Sequence, residues 1–193
     1  MNRSPTTADD ILACTRKLVV ARGYNGFSYA DVAEVVGIRK ASIHHHFPSK
    51  VDLVRTLLRR YREEAEAGLT HLENAIPHPL ELLRAYVQYW KSCIGDASAP
   101  FCVCALLASE LPVLPEDVAL EVRSYFRWLS AWLTSAFERG LERGVMQLRN
   151  APQAEAEIFM AAVHGAMLSA RAYGDTGTFG AIMDPQLERI SAN

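Results

Sequence analysis

Residues 38–50 read IRKASIHHHFPSK. The segment from Arg39 to Phe47 is predicted to form a short helix, because Gly37 can end the helix before it and Pro48 cannot continue a helix. Two short helices joined across a glycine turn are typical of a helix-turn-helix unit. The stretch therefore predicts that the N-terminal part of the chain is built from helices around such a turn.

Three consecutive histidines, His44, His45 and His46, raise the question of a metal or catalytic site. Successive residues of a helix point about 100° apart, so the three imidazoles fan around the helix and cannot converge on one ion. No metal-binding residue stands three or four positions away, and no nucleophile lies at a suitable spacing. We predict neither kind of site; the plain alternative is that one histidine packs inward and the others are solvated.

DNA recognition accounts for more of the surrounding residues. A helix of about nine residues is roughly 13 Å long, which suits a DNA major groove about 12 Å wide. Its first two turns carry Arg39, Lys40, Ser42 and His44, and an arginine can bind guanine through two hydrogen bonds. Lys50 lies in the first turn of the next helix, where the dipole disfavours a cation; either a bound phosphate or solvent would offset that conflict.

Capping signals place the two helices that precede this stretch. The first is predicted to begin near Thr6 or Thr7, either of which can cap it, and to stop at Arg22-Gly23, where a basic last turn is followed by glycine. Ser28 stands three residues before Asp31, which is the spacing of a capping box and predicts that the second helix starts at Tyr29.

Apolar residues recur at helical spacing along the rest of the chain, and no stretch alternates like a strand. We predict an all-α protein of about nine helices. Residues 1–50 are expected to form a three-helix helix-turn-helix domain and residues 51–193 a larger helical ligand-binding and dimerisation domain. Later helices are predicted over residues 51–67 (the connecting helix), 80–93, 101–111, 116–143, 154–173 and 178–182, the last continuing after Pro185.

Composition and charge agree with a globular DNA-binding protein. The 193 residues are 50% hydrophobic, which excludes disordered and fibrous classes. Residues 1–60 hold ten Lys and Arg against five Asp and Glu, whereas residues 61–193 hold ten against seventeen. A basic N-terminal third on an acidic body is the charge pattern expected of a local nucleic-acid contact.

No segment of the sequence predicts a signal peptide or a membrane span, because the longest nearly apolar run, residues 158–170, is too short. The chain is therefore expected to be cytoplasmic. Its four cysteines lack zinc-site spacing and are expected to be thiols.

Residues 7–50 resemble the N-terminal DNA-binding domain of the tetracycline-repressor (TetR) family. The resemblance rests on Gly23, Phe27, Asp31-Val32-Ala33, Val36-Gly37-Ile38 and IHHHFPSK at 43–50. Three positions depart from the family pattern: Ser28 replaces a threonine, Ala41-Ser42 a glycine-threonine pair, and His44 a tyrosine.

This resemblance implies a set of DNA contacts and a mode of action. The contacts are Ser28, Arg39, Lys40, Ser42, His44, His45 and Lys50. Phe47 is expected to anchor the helix inward, and His46 to be the histidine nearest the protein. The family likeness further implies a homodimer on a pseudo-palindromic double-stranded operator, released by a small-molecule inducer. No sequence motif predicts a cofactor or a metal site.

The C-terminal half resembles a TetR subgroup that includes the N-ethylmaleimide and acrylate repressors, through PFCVCALLASEL at 100–111. That resemblance implies an electrophile sensor at Cys102, with Cys104 second. The alternative is that both cysteines are buried apolar residues, since no Lys or Arg in that helix would lower a thiol pKa. A noncovalent, mostly apolar pocket is the other expectation, with Tyr86, Trp90, Phe126 and His164 as candidate ligand residues.

Small residues recur in the penultimate helix, at Ala161, Ala162, Gly165, Ala166 and Ala170. They suit close helix approach in a dimer formed by the last two long helices, and they would equally suit an internal core. A small enzyme using Cys102 or Cys104 with His164 is a further alternative. The chain carries no oxyanion motif, phosphate loop or metal triad, so we predict no enzymatic activity.

Overall fold

A computed structural model describes residues 7–95 and 101–192, and it confirms the all-α class. The described part contains nine α-helices and a 3-10 turn at Leu111–Val113. The helices are α1 Thr7–Arg22, α2 Tyr29–Val36, α3 Lys40–His46, α4 Lys50–Ala75, α5 Pro79–Gly95, α6 Val103–Ala108, α7 Glu116–Glu142, α8 Pro152–Tyr173 and α9 Gly177–Ile190.

Local capping sets the ends of α2, as predicted. The Ser28 hydroxyl accepts the Ala30 N–H at 3.2 Å, and the Asp31 carboxylate accepts the Ser28 N–H at 2.7 Å. At the other end Gly37 has a φ of 74°, and its N–H bonds to the Ala33 carbonyl. Glycine adopts this left-handed conformation at little cost, so α2 stops there.

Three helices differ from the sequence prediction. The connecting helix α4 continues to Ala75 instead of ending near residue 67, because its one glycine is tolerated and the first strong breaker is Pro77. The cysteine-bearing helix α6 covers only Val103–Ala108. Helix α9 runs unbroken through Pro185, which costs one backbone hydrogen bond on its exposed side.

Two compact units make up the chain. The first contains the residues up to Glu64 together with Val103–Tyr125, and the second contains Ala65–Cys102 together with the residues from Phe126 onward. In the first unit α1 packs against α2, α3 and α6. Its fully buried side chains include Ile11, Val32 and Ile43. Each contributes on the order of 1.5–3 kcal/mol by leaving water.

The second unit is a helical bundle in which α9 packs against α8 and α5. Its core contains the fully buried rings of Phe137, Phe159 and Phe179. Phe137 and Phe159 meet edge to face, with centroids 5.8 Å apart. No helix in the described residues is both long and apolar enough to cross a membrane.

A buried carboxylate joins the start of α8 to the end of α9. Glu155 has no exposed surface and accepts hydrogen bonds from Arg189 Nη2 at 2.8 Å and Asn150 Nδ2 at 2.9 Å. The backbone N–H of Arg149 and that of Asn150 add two more at 3.2 Å each. The bond from Arg189 is the largest cause of a lowered pKa at Glu155, and burial acts in the opposite direction.

Glu155→Gln is therefore expected to lower the free energy of unfolding at pH 7 by about 3 kcal/mol, because it leaves the partly buried Arg189 without a counter-charge. Since the folded pKa of Glu155 lies below the unfolded value, its contribution is present above that unfolded value of about 4.5 and is lost as pH falls through the folded pKa. Urea denaturation at pH 7 and near pH 3 should show the gap between variant and wild type shrinking with acid. Glu188→Gln, at an exposed position on α9, is the control; equal stability of both variants at pH 7 would contradict the assignment.

Candidate nucleic-acid interface

Helix α3 is anchored on one side and exposed on the other. Ile43 is fully buried and Phe47 is 6% exposed, so these two residues hold α3 against the core of the first unit. This confirms Phe47 as the inward anchor. The exposed side carries Arg39, Lys40, His44 and His45, while Ser42 is half-buried. Five of the seven predicted DNA contacts therefore lie along one short helix.

The three histidines have different surroundings. The ring of His44 packs against Tyr29 of α2, with centroids 4.7 Å apart, and its Nδ1 lies 3.3 Å from the Pro48 carbonyl oxygen. His46 is exposed, so the expectation that it lies nearest the protein is wrong. Ile43 and Phe47 already occupy the inward direction of α3, which leaves His46 at its edge. His44 is the histidine that packs on another helix.

Tyr29 is a contributor that the sequence did not reveal. Its hydroxyl donates to the Phe47 carbonyl oxygen at 2.8 Å and ties the start of α2 to the end of α3. Burial, with smaller effects from Asp52 and Tyr24, raises the pKa of Tyr29 to about 12. The hydroxyl therefore remains a hydrogen-bond donor throughout the physiological range. Its position next to the cap residue Ser28 was the only sequence signal.

Lys50 is held by the protein rather than extended into solvent. Its Nζ donates to the Phe27 carbonyl oxygen and lies 4.1 Å from the centre of the Phe27 ring and 4.8 Å from that of Tyr24. Burial lowers the pKa of Lys50, and the charges of Asp31 and Glu110 oppose that shift. Cation–π contacts and a carbonyl thus offset the unfavourable helix dipole.

Ser28 is exposed at the start of α2, but its hydroxyl is engaged in the cap. It donates to Asp31 Oδ2 at 2.6 Å in addition to accepting the Ala30 N–H. Asp31 also pairs with Arg22 at 3.1 Å. The hydrogen bonds from Ser28 are the main cause of a lowered pKa at Asp31.

Comparison with known proteins identifies the family. The sequence profile of the bacterial regulatory proteins of the tetR family matches residues 11–57. A crystal structure of a TetR-family transcriptional regulator from Agrobacterium tumefaciens is 65% identical and covers 96% of this chain and 98% of that one, with a TM-score of 0.95. The chain belongs to the TetR family.

More distant relatives also align over most of the chain. The transcriptional repressor NemR of Escherichia coli K12 is 25% identical over 167 residues, which cover 86% of this chain and 84% of NemR. The crystal structure of reduced E. coli NemR aligns with a TM-score of 0.84 at 22% identity, covering 97% and 98% of the two chains. At that identity the alignment shows a common fold.

The six predicted effector residues of this TetR-family chain are all buried or half-buried. Cys102 and Cys104 have no exposed surface. Tyr86 packs against Trp132 with centroids 5.6 Å apart, and burial raises its pKa. The ring of Phe126 lies 5.2 Å from that of His164, and burial lowers the pKa of His164 to about 4, so this imidazole is neutral at pH 7.

A cleft of about 590 Å³ lies between α7 and α8. Only Phe126 among the six predicted effector residues lines it. The remaining lining residues are mainly polar: Arg127, Ser130, Ala131, Thr134, Ser135, Glu138, Gln153, Glu157 and Met160. Polar residues recur every three or four positions along α7, at Arg127, Ser130, Thr134 and Glu138, and this recurrence is the sequence signal for the cleft.

Proposed function

We propose that this TetR-family chain is a ligand-responsive transcriptional repressor that binds a pseudo-palindromic operator as a homodimer and is released by a small effector. The observation that carries the proposal is the arrangement of α3. Its inward anchors leave a basic, hydrogen-bonding face on a helix short enough for the major groove. In this scheme residues 1–50 bind DNA, residues 51–67 connect, and the remainder of 51–193 binds the effector and the partner subunit.

Each proposed contact has a chemical role on DNA. Arg39 reads a guanine edge through two hydrogen bonds, and Lys40 neutralises a phosphate. Ser42, His44 and His45 donate to base edges or phosphate oxygens. Lys50 reaches a phosphate through an N–H that is not directed at Phe27, and Ser28 supplies a further backbone-phosphate contact.

An exposed apolar row on α8 supports the dimer. We define the α8 stripe as Ala154, Ile158, Ala161, Gly165, Leu168 and Ala172. All six are exposed, and they follow one another at alternating steps of four and three residues. This is the spacing of a coiled-coil seam, in which apolar residues need a partner helix. Ile158 is 43% and Leu168 60% exposed, so a second copy of the chain would remove a continuous apolar surface from water.

A noncovalent effector is favoured over a reactive electrophile. The two candidate thiols, Cys102 and Cys104, have no exposed surface, so a reagent reaches them only after the packing around them opens. Beside Tyr86, the buried Nε1 of Trp132 finds no acceptor among the described residues. A mostly apolar effector with one hydrogen-bond acceptor would satisfy that N–H. A catalytic role is not proposed, since the matched relatives are described as transcriptional regulators.

Footprinting and gel-shift assays on the DNA flanking the gene test the proposal. A sequence-preferring complex that weakens steeply with added salt is expected, because phosphate contacts release counterions. Binding that shows no sequence preference at any salt concentration would rule out the repressor assignment.

Arg39→Ala is expected to lower operator affinity about 10- to 100-fold and to relax the preference at one base pair, because a bidentate guanine contact contributes about 1–3 kcal/mol of discrimination. Lys40→Ala should weaken binding to all DNA sequences alike. The matched control is Arg84→Ala, which removes the same charge from α5. Competition binding against operators with single base changes measures the effect. Unchanged base preference in Arg39→Ala would contradict the role of Arg39.

A further inference from the structure

The carboxylate of Glu110, in the short turn that follows α6, lies inside the turn between α1 and α2. Glu110 Oε2 accepts the backbone N–H of Tyr24 at 2.9 Å. A Cβ atom placed on Gly23 would lie 2.2 Å from Glu110 Oε1, so the carboxylate fills the space that a side chain at position 23 would occupy. These residues are 86 positions apart in sequence and belong to the same compact unit.

The backbone of Glu110 is fixed on both sides. Its N–H bonds to the Leu107 carbonyl at 3.0 Å, and its own carbonyl accepts the Val113 N–H at 2.9 Å. Helix α6 itself is anchored by fully buried side chains, including Val103 and Leu107. The backbone position from which the carboxylate extends is therefore tied to α6.

On its other side, this contact is connected through Tyr24 and Lys50 to α3, the helix proposed to read DNA. Tyr24 is 7% exposed, and its ring together with that of Phe27 surrounds the amine of Lys50. Lys50 is the first residue of α4, three positions after the Phe47 anchor that ends α3. The charge of Glu110 also helps to keep Lys50 protonated against burial. One carboxylate thus supports the α1–α2 turn and the junction of α3 with α4.

We infer that Glu110 is a positioning residue for DNA recognition, which fixes the α1–α2 turn, and through Lys50 the start of α4, to the end of α6. The inference rests on the proposed function, because it assigns Glu110 a role in DNA binding by α3. Displacing the end of α6 leaves the buried Tyr24 N–H without its acceptor, so the turn and α6 change position together. When the turn is loosened, the affinity for an operator with two half-sites falls more than the affinity for a single half-site. The reason is that the α3 helices of both subunits must be held at one spacing to bind two half-sites.

The test compares binding to two DNA fragments: the footprinted operator and the same fragment with one half-site scrambled. Glu110→Ala is expected to lower affinity for the intact operator at least about fivefold, as a coupling between sites would. Its affinity for the single half-site should stay within about twofold of wild type. Glu110→Gln should recover most of the loss, because its amide oxygen can accept the Tyr24 N–H. Glu116→Ala, which removes the same charge from an exposed residue paired with Arg123, is the control and should bind like wild type.

Two outcomes would overturn the inference: wild-type affinity of Glu110→Ala for both fragments, or an equal loss on both, which would mark a folding effect. If circular dichroism shows that Glu110→Ala is unfolded, Glu110→Asp replaces it. Aspartate keeps the charge but is too short to reach Tyr24, so equal binding by Glu110→Asp and Glu110→Gln would also refute the role. A wild type without operator preference would instead remove the proposed function itself.

Discussion

Gly23→Ala is expected to lower the free energy of unfolding by about 3 kcal/mol, because it strains the backbone and displaces a hydrogen-bond acceptor. Gly23 has a φ of 72°, and a left-handed conformation costs an L-residue roughly 1–2 kcal/mol. The new methyl group would also collide with Glu110. Because the carboxylate is the end of a flexible side chain it can move aside, but the Tyr24 N–H then loses its charged acceptor, at a cost of about 1–3 kcal/mol.

Gly37→Ala provides a matched control for this prediction. Gly37 has nearly the same φ, 74°, and the described residues leave open space around its Cβ direction. It should therefore show the conformational cost alone. In a Glu110→Ala background, the destabilisation caused by Gly23→Ala should fall to that caused by Gly37→Ala. A double-mutant cycle measured by urea denaturation would test this. Equal destabilisation by the two glycine substitutions in the wild-type background would show that Glu110 does not occupy the turn.

Gly165→Glu is expected to convert the protein to a monomer and to lower operator affinity about 100-fold or more. Gly165 lies in the middle of the α8 stripe, and the described residues leave room for a side chain there. The protomer should therefore fold normally, and losing a helical glycine should stabilise α8 by a few tenths of a kcal/mol or more. A charged side chain would nevertheless keep two α8 helices apart. In a monomer the two DNA-binding domains are no longer linked. Binding of the first domain then no longer raises the effective concentration of the second domain at its half-site, an effect that commonly increases avidity by 10²–10⁴.

The matched control for the dimer is Gly68→Glu. Gly68 is also an exposed helical glycine with open space around it, but it lies on α4. Analytical ultracentrifugation should find this variant dimeric and the Gly165 variant monomeric. A dimeric Gly165→Glu protein that binds its operator normally would show that the α8 stripe is not the subunit contact.

The features that the sequence predicts correctly are those decided by neighbouring residues. The start of α2 depends on Ser28 and Asp31, three positions apart, and its end depends on Gly37. Both ends need only capping chemistry and helical spacing, which short stretches of sequence contain. Phe47 was predicted to be the inward anchor from the family resemblance of the segment that contains it.

The interactions that sequence did not predict join residues far apart in the chain. The amine of Lys50 folds back on Phe27, 23 positions earlier, so the first-turn lysine needs no anion to offset the helix dipole. Glu110 contacts a turn 86 positions away. His46 was placed inward by family position, whereas the packing of Ile43 and Phe47 in the folded unit excludes it. The effector residues depended wholly on tertiary packing, and only Phe126 of the six lines the cleft.

The first compact unit has a practical consequence for building chimeric regulators. It combines the N-terminal helices with Val103–Tyr125, so the DNA-reading helices are completed by a distant part of the chain. Besides Glu110, that part supplies Asp117 and Glu121, which pair with Arg55 and Arg59 of α4 at 3.0 and 2.6 Å. A transplant of residues 1–50 alone would place the α1–α2 turn against a foreign side chain. Exchanging operator specificity between relatives should therefore require grafting two separate segments together.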